Sequence, residues 1–97
     1  MAVVHVVAHI RAQPEAVQRL RALLLSLLDA TRQEAGCIAY RLLQNQADPT
    51  DFTCIEEWAD DAAIDAHMAS AHVQSAFAGA QSWLAAAPSI ERYRLLR

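Results

Sequence analysis

The residues of this chain best suited to chemistry gather in one stretch: Glu56, Glu57 and Trp58, then Asp60 and Asp61, then His67. Side chains on a strand alternate between its faces, so Glu56 and Trp58 share one face with Cys54, while Ile55 and Glu57 share the other. Glu57 is therefore expected to face solvent or a dimer edge. Beyond the Asp-rich cap, Ile64, His67, Met68 and Ala71 fall on one helical stripe, which turns His67 inward. A carboxylate, an indole and an imidazole between a strand end and a helix are the parts of a small-molecule site. An imidazole titrates near neutral pH and can act there as a general acid or base. The plainer reading of His67 is a core histidine bonded to a backbone carbonyl or to Glu56.

Other candidates carry weaker signals. His72 falls near Ser70, where two helical pieces join, and capping beside Ser70 is its simplest role. Trp58 and Phe77 either pack in the core or wall a cleft for a flat substrate, and Trp83 has the same ambiguity. His5 and His9 share a strand face, but two histidines without a third ligand make a poor metal site, so no metal is expected. Cys-x-x-Cys, His-Glu-x-x-His, Gly-x-Ser-x-Gly and phosphate-loop patterns do not occur in the sequence. With only Gly36 and Gly79 as glycines, a dinucleotide fingerprint cannot be built.

The elements that must position these residues follow from periodicity. Val3 to Ile10 is β-branched and reads as a strand. Pro14 then suits a first helical turn, and Val17, Leu20, Leu24, Leu27, Leu28 and Thr31 mark the apolar face of a long helix ending near Gly36. Cys37 to Gln44 and Phe52 to Trp58 form a hairpin around the turn-forming run from Asn45 to Asp51. A loop centred near residue 48 makes facing positions sum to about 96. Tyr40 then lies opposite Glu56, Cys54 opposite position 42 and Cys37 opposite position 59, so the two cysteines should not bond. Asp60 or Asp61 caps a helix to about Ser70, and a second stretch runs to about Ala86 before Pro88. Ile90 to Leu96 closes as a strand with one wet face.

The order β-α-β-β-α-β predicts a ferredoxin-like α+β domain spanning 1–97, an antiparallel four-stranded sheet with helices on one face. The other face has no cover. With Val4, Val6, Ile38 and Ile55 available to one face or the other, and 55% apolar against 20% charged residues, an exposed apolar sheet predicts a homodimer. A net charge of -3, with all eight basic residues scattered arginines, argues against nucleic acid as a partner. The longest apolar block, Ala22 to Leu28, is far short of a membrane span, and the first residues lack a basic leader, so a cytoplasmic protein is expected.

Over nearly its whole length the chain resembles the antibiotic biosynthesis monooxygenase family, which includes quinol monooxygenase-like members. The resemblance runs from the first strand into Ile10 to Pro14, through Glu34 to Tyr40 and Glu56-Glu57-Trp58, to His67 to His72 with Phe77 beyond. It implies a dimeric α/β barrel that oxidises electron-rich quinols, phenols or anthrones with molecular oxygen and without metal or flavin. It places Glu56, Trp58 and His67 at the family's Glu-x-Trp and helix-His positions, and His72 at a frequent His after the helix break. On that reading His67, Glu56 and Trp58 are catalytic, with His67 the base and Glu56 orienting it. Tyr40, Phe77 and His72 then line the substrate pocket. Haem-degrading relatives carry an Asn on the first strand that Val3 to His9 lacks. Isomerases of small phosphorylated sugars would need cations such as Arg41, Arg92 or Arg94 near the pocket. A dimer that binds a small ligand without turning it over is the remaining alternative.

Overall fold

The computed structural model describes residues 2–97. Strand β1 (Val4–Arg11) leads through a 3-10 turn begun by Pro14 into helix α1 (Val17–Arg32). The hairpin β2 (Cys37–Gln44) and β3 (Asp51–Trp58) follows, then helices α2 (Asp61–Ala69) and α3 (Ala71–Ala80), and finally strand β4 (Ser89–Tyr93). The sheet order is β2-β3-β1-β4, antiparallel throughout, the ferredoxin-like α+β arrangement. No helix of the described residues is long and apolar enough to cross a membrane.

The core lies between the helices and one sheet face. Val6, Ala8 and Ile10 of β1 and Phe52, Cys54 and Trp58 of β3 meet Leu20 and Leu24 of α1 and Ile64 of α2. Val4 packs against the same core, whereas Ile55 pairs with Val7 on the opposite face and Ile38 is exposed. The four apolar residues offered by the sequence are thus divided between the faces.

Turn chemistry sets the hairpin register. Asn45 Oδ1 accepts from the Ala47 and Asp48 amides, and Asp48 Oδ1 accepts from the Thr50 amide and hydroxyl. Tyr40 consequently faces Glu56 and Leu42 faces Cys54, as the loop centre predicts. Cys37 faces Trp58 rather than position 59, because an irregularity between Cys37 and Ala39 absorbs one residue. Both thiols are free, and burial pushes Cys54 up to about 11.

Three boundaries depart from the periodicity. Helix α3 stops at Ala80, well before Ala86, and tightens into a 3-10 turn at Gln81–Trp83. The end of β1 captures the chain there: the Gln13 amide donates to the Trp83 carbonyl, the Ala85 amide donates to the Arg11 carbonyl, and Ala12 bridges Leu84. Strand β4 ends at Tyr93 rather than Leu96, because Tyr93 already pairs with His5 near the start of β1. Ala71 is exposed rather than on the buried stripe, because the helix breaks at Ser70 (φ -65°, ψ 151°) and Val73 takes the inward position.

Candidate functional site

Glu56 and Trp58 do share the inner face of β3, and both are buried. The Trp58 indole N–H donates to Glu56 Oε1 at 2.8 Å, which binds the pair to each other. Burial pushes the Glu56 carboxyl above the usual carboxylate range, a shift strengthened by the charge of Glu34 and opposed by the indole bond and by His67. A raised carboxyl favours folding below its unfolded pKa, and that contribution is lost as pH rises through its folded pKa. Ionised Glu56 therefore costs stability at neutral pH. Glu56→Gln keeps an acceptor for the indole, and we expect it to melt above the parent at pH 8 by a margin that shrinks at pH 5. Equal margins at both pH values would contradict this assignment.

His67 is delivered by α2, whose N-terminus is capped by Asp60 accepting from the Ala63 amide. Its imidazole is buried and packs against Trp58, with centroids 4.8 Å apart, and edge-on against Tyr40 at 5.8 Å. Its hydrogen-bond partner is Glu34, not Glu56 or a backbone carbonyl: Nδ1 lies 2.6 Å from Glu34 Oε2. Glu34, 33 residues away in the chain, thus holds the imidazole in place of the expected Glu56. Glu34 stands in the turn after α1, just before Gly36, whose φ of +84° only glycine adopts freely. The Ala59 amide donates to the Gly36 carbonyl at 2.8 Å and ties this turn to the end of β3.

His72 joins the same carboxylate, with Nε2 3.1 Å from Glu34 Oε2 and 3.5 Å from Ser70 Oγ. On an unbroken helix, residues five apart point about 140° away from each other. The extended Ser70, whose hydroxyl donates to the His67 carbonyl at 2.6 Å, turns His72 back toward Glu34. Among the described residues, Glu34, His67 and His72 form a group able to hold a metal ion, their ligand atoms within 4.8 Å of one another. His5 and His9 lie on the other sheet face, where His9 Nδ1 meets the Thr53 hydroxyl at 3.2 Å.

Tyr40 links this polar cluster to an apolar cleft. Its ring also lines a cavity of about 30 Å³ between α1, α3 and the sheet, together with Leu23, Leu27 and Phe77. A space of that size holds a water-sized molecule and no aromatic ring, for which pockets of roughly 300 Å³ or more are usual. The Tyr40 phenol, buried beside the Cys54 thiol, is pushed well above its ordinary range. Trp83 lies apart from the cluster, under the Arg19 guanidinium. A larger depression at the β1–β4 edge, lined by Asp61 and Arg92, includes none of the histidines of the cluster. Arg92 is held there by Asp61 and Asp65 at 2.9 and 2.6 Å, and Arg41 pairs with Ile55 on the uncovered face.

Comparison with known proteins agrees with this architecture. The profile of the family described as antibiotic biosynthesis monooxygenase matches residues 3–79. YcnE of Bacillus subtilis is 30% identical over 88 residues, which cover 91% of this chain and 93% of that protein. The crystal structure of PA3566 from Pseudomonas aeruginosa superposes with a TM-score of 0.94 at 31% identity, covering 100% of this chain and 97% of that one. Rv0793 from Mycobacterium tuberculosis superposes with a TM-score of 0.91 at 27% identity, covering 99% and 97%.

Proposed function

Because the chain belongs to the antibiotic biosynthesis monooxygenase family, we propose that it oxidises a small electron-rich aromatic of the quinol, phenol or anthrone type with molecular oxygen, using no bound cofactor. The observation that carries this reading is the Glu34–His67 pair at 2.6 Å. A carboxylate on Nδ1 holds the proton there and leaves the Nε2 lone pair to accept one from the substrate. Glu34 also stabilises the imidazolium that forms.

The phenolate left behind passes one electron to oxygen, and the radical pair collapses to a carbon–oxygen bond. For an anthrone, the peroxide so formed loses water: one oxygen atom ends in the product carbonyl, the other leaves with the two hydrogens the methylene has lost, and the substrate supplies all four electrons that the oxygen takes up. Burial by Trp58 and Tyr40 excludes water from the reactive pair and strengthens each polar contact. In this reading the aromatic ring takes the cleft beside Tyr40 and Phe77, which has to widen from its present volume of about 30 Å³ to admit it. Running the reaction under labelled oxygen tests this: one labelled atom in the product supports it, and none overturns it. The phosphorylated-sugar alternative lacks support, since Arg92 and Arg94 line the depression that includes none of the clustered histidines and Arg41 pairs with Ile55 on the uncovered face.

The active form is a homodimer in this reading. The uncovered face carries Val7, Ile55, Leu43 and Tyr93, the last two about half exposed, and pairing two such faces across a twofold axis buries them. Light scattering is expected to give the mass of two chains, and Val7→Asp to shift it to one. A parent protein with the mass of one chain at micromolar concentration would contradict the pairing.

A further inference from the structure

We propose that Glu34, His67 and His72 form a binding site for one divalent transition-metal ion of the zinc class, with a fourth coordination position open to solvent.

Three features carry this inference. The donor set is two imidazole nitrogens and one carboxylate oxygen, a combination that suits zinc, cobalt, nickel or ferrous iron and disfavours magnesium or calcium. The distances are close to those needed. Donors about 2.0–2.1 Å from a tetrahedral ion stand roughly 3.4 Å apart. Here Glu34 Oε2 is 2.6 Å from His67 Nδ1 and 3.1 Å from His72 Nε2, and all three lie within 4.8 Å. Adjustments of about an ångström bring them onto a common ion, and the Glu34 side chain, in a turn rather than a helix, can supply them.

The third feature is graded burial. The side chains of His67, Glu34 and His72 are 5%, 17% and 31% exposed, so the site is walled on the Trp58 side and open on the His72 side. An ion can enter there and keep a water ligand. The break at Ser70 turns His72 toward this carboxylate, which capping of α3 does not require, since Ser70 makes no side-chain capping bond there.

The metal and the proton compete for one nitrogen. An ion on Nδ1 of His67 displaces the proton shared with Glu34 and moves it to Nε2, so the imidazole no longer accepts a proton from a substrate. Resting on the function proposed above, this makes the bound ion an inhibitor of turnover.

The test titrates chelator-treated full-length protein with Co²⁺, read by its visible absorption, and with Zn²⁺ by calorimetry. One equivalent per chain is expected, with an affinity that falls at least tenfold in His72→Ala and in Glu34→Gln. His72 lies at the open edge, so its variant should keep the parent far-UV spectrum. Absence of saturable binding would overturn the site. So would binding that survives in His72→Ala, or that is lost in a His5→Gln, His9→Gln double variant instead. Oxygen uptake, measured separately, distinguishes the two proposals: stoichiometric binding without uptake by the chelated protein leaves the metal site standing and removes the oxygenase reading.

Discussion

Glu34→Gln is expected to lower kcat for an electron-rich aromatic by about 10²–10⁴-fold with little change in KM, on the scale of losses that follow when an imidazole loses its orienting carboxylate. The amide can still meet His67 at Nδ1, but it neither prefers the Nδ1 proton nor balances the imidazolium. Glu34 is a positioning residue in this account, so its test needs readouts that simple loss of structure would not move. Glu34→Asp should recover part of the rate, and the Gln variant should lose the pH limb belonging to the His67 base. An unchanged pH profile in a folded Glu34→Gln protein would show that the carboxylate does not act through the imidazole.

Gly36→Ala has the largest expected effect on stability. A Cβ placed there would stand 2.6 Å from the Ala63 Cβ of α2, inside any normal contact, while the φ of +84° would hold an alanine in the left-handed region. The backbone conformation costs about 1–2 kcal/mol. The overlap adds about 1–3 kcal/mol. Urea unfolding should therefore show a loss of about 2–5 kcal/mol. Ala63→Gly in the same chain should return part of it, because it removes the overlap and leaves the backbone strain. The variant should also lose activity in its folded fraction, since Glu34 sits two residues away on the turn that must move. A loss below 1 kcal/mol would mean that the turn and α2 separate easily.

Much of the site's frame was legible in the sequence because it depends on local rules. Strand alternation placed Glu56 and Trp58 on one face, and the Asp60 cap with helical periodicity turned His67 inward. The loop centre at Asp48 set Tyr40 against Glu56, since the turn is built from short-range bonds of Asn45 and Asp48. His72 reached the helix join for the same reason.

The partnership of Glu34 with two histidines was not legible. Their bonds span 33 and 38 residues and arise only when the turn after α1 meets the break between α2 and α3. One local signal existed. A carboxylate just past the C-terminal end of a helix is electrostatically misplaced, because that end carries partial negative charge. An acid there, beside a glycine stop, suggests a cationic or hydrogen-bonding partner elsewhere in the fold. The early stop of α3 was hidden likewise, because the backbone bonds from Arg11 and Gln13 that end it come from the other end of the chain.

In the proposed reaction His67, held by Glu34, takes the proton that starts oxygen chemistry on an aromatic substrate. The most direct test of this step is oxygen uptake by chelator-treated protein with a panel of naphthoquinols, anthrones and polyphenols, corrected for spontaneous oxidation and run beside His67→Ala of matched far-UV spectrum. Uptake above background by the parent is expected on at least one substrate, reduced about 10²-fold or more in the variant. Equal uptake by parent and variant, or none by the parent across the panel, would contradict it.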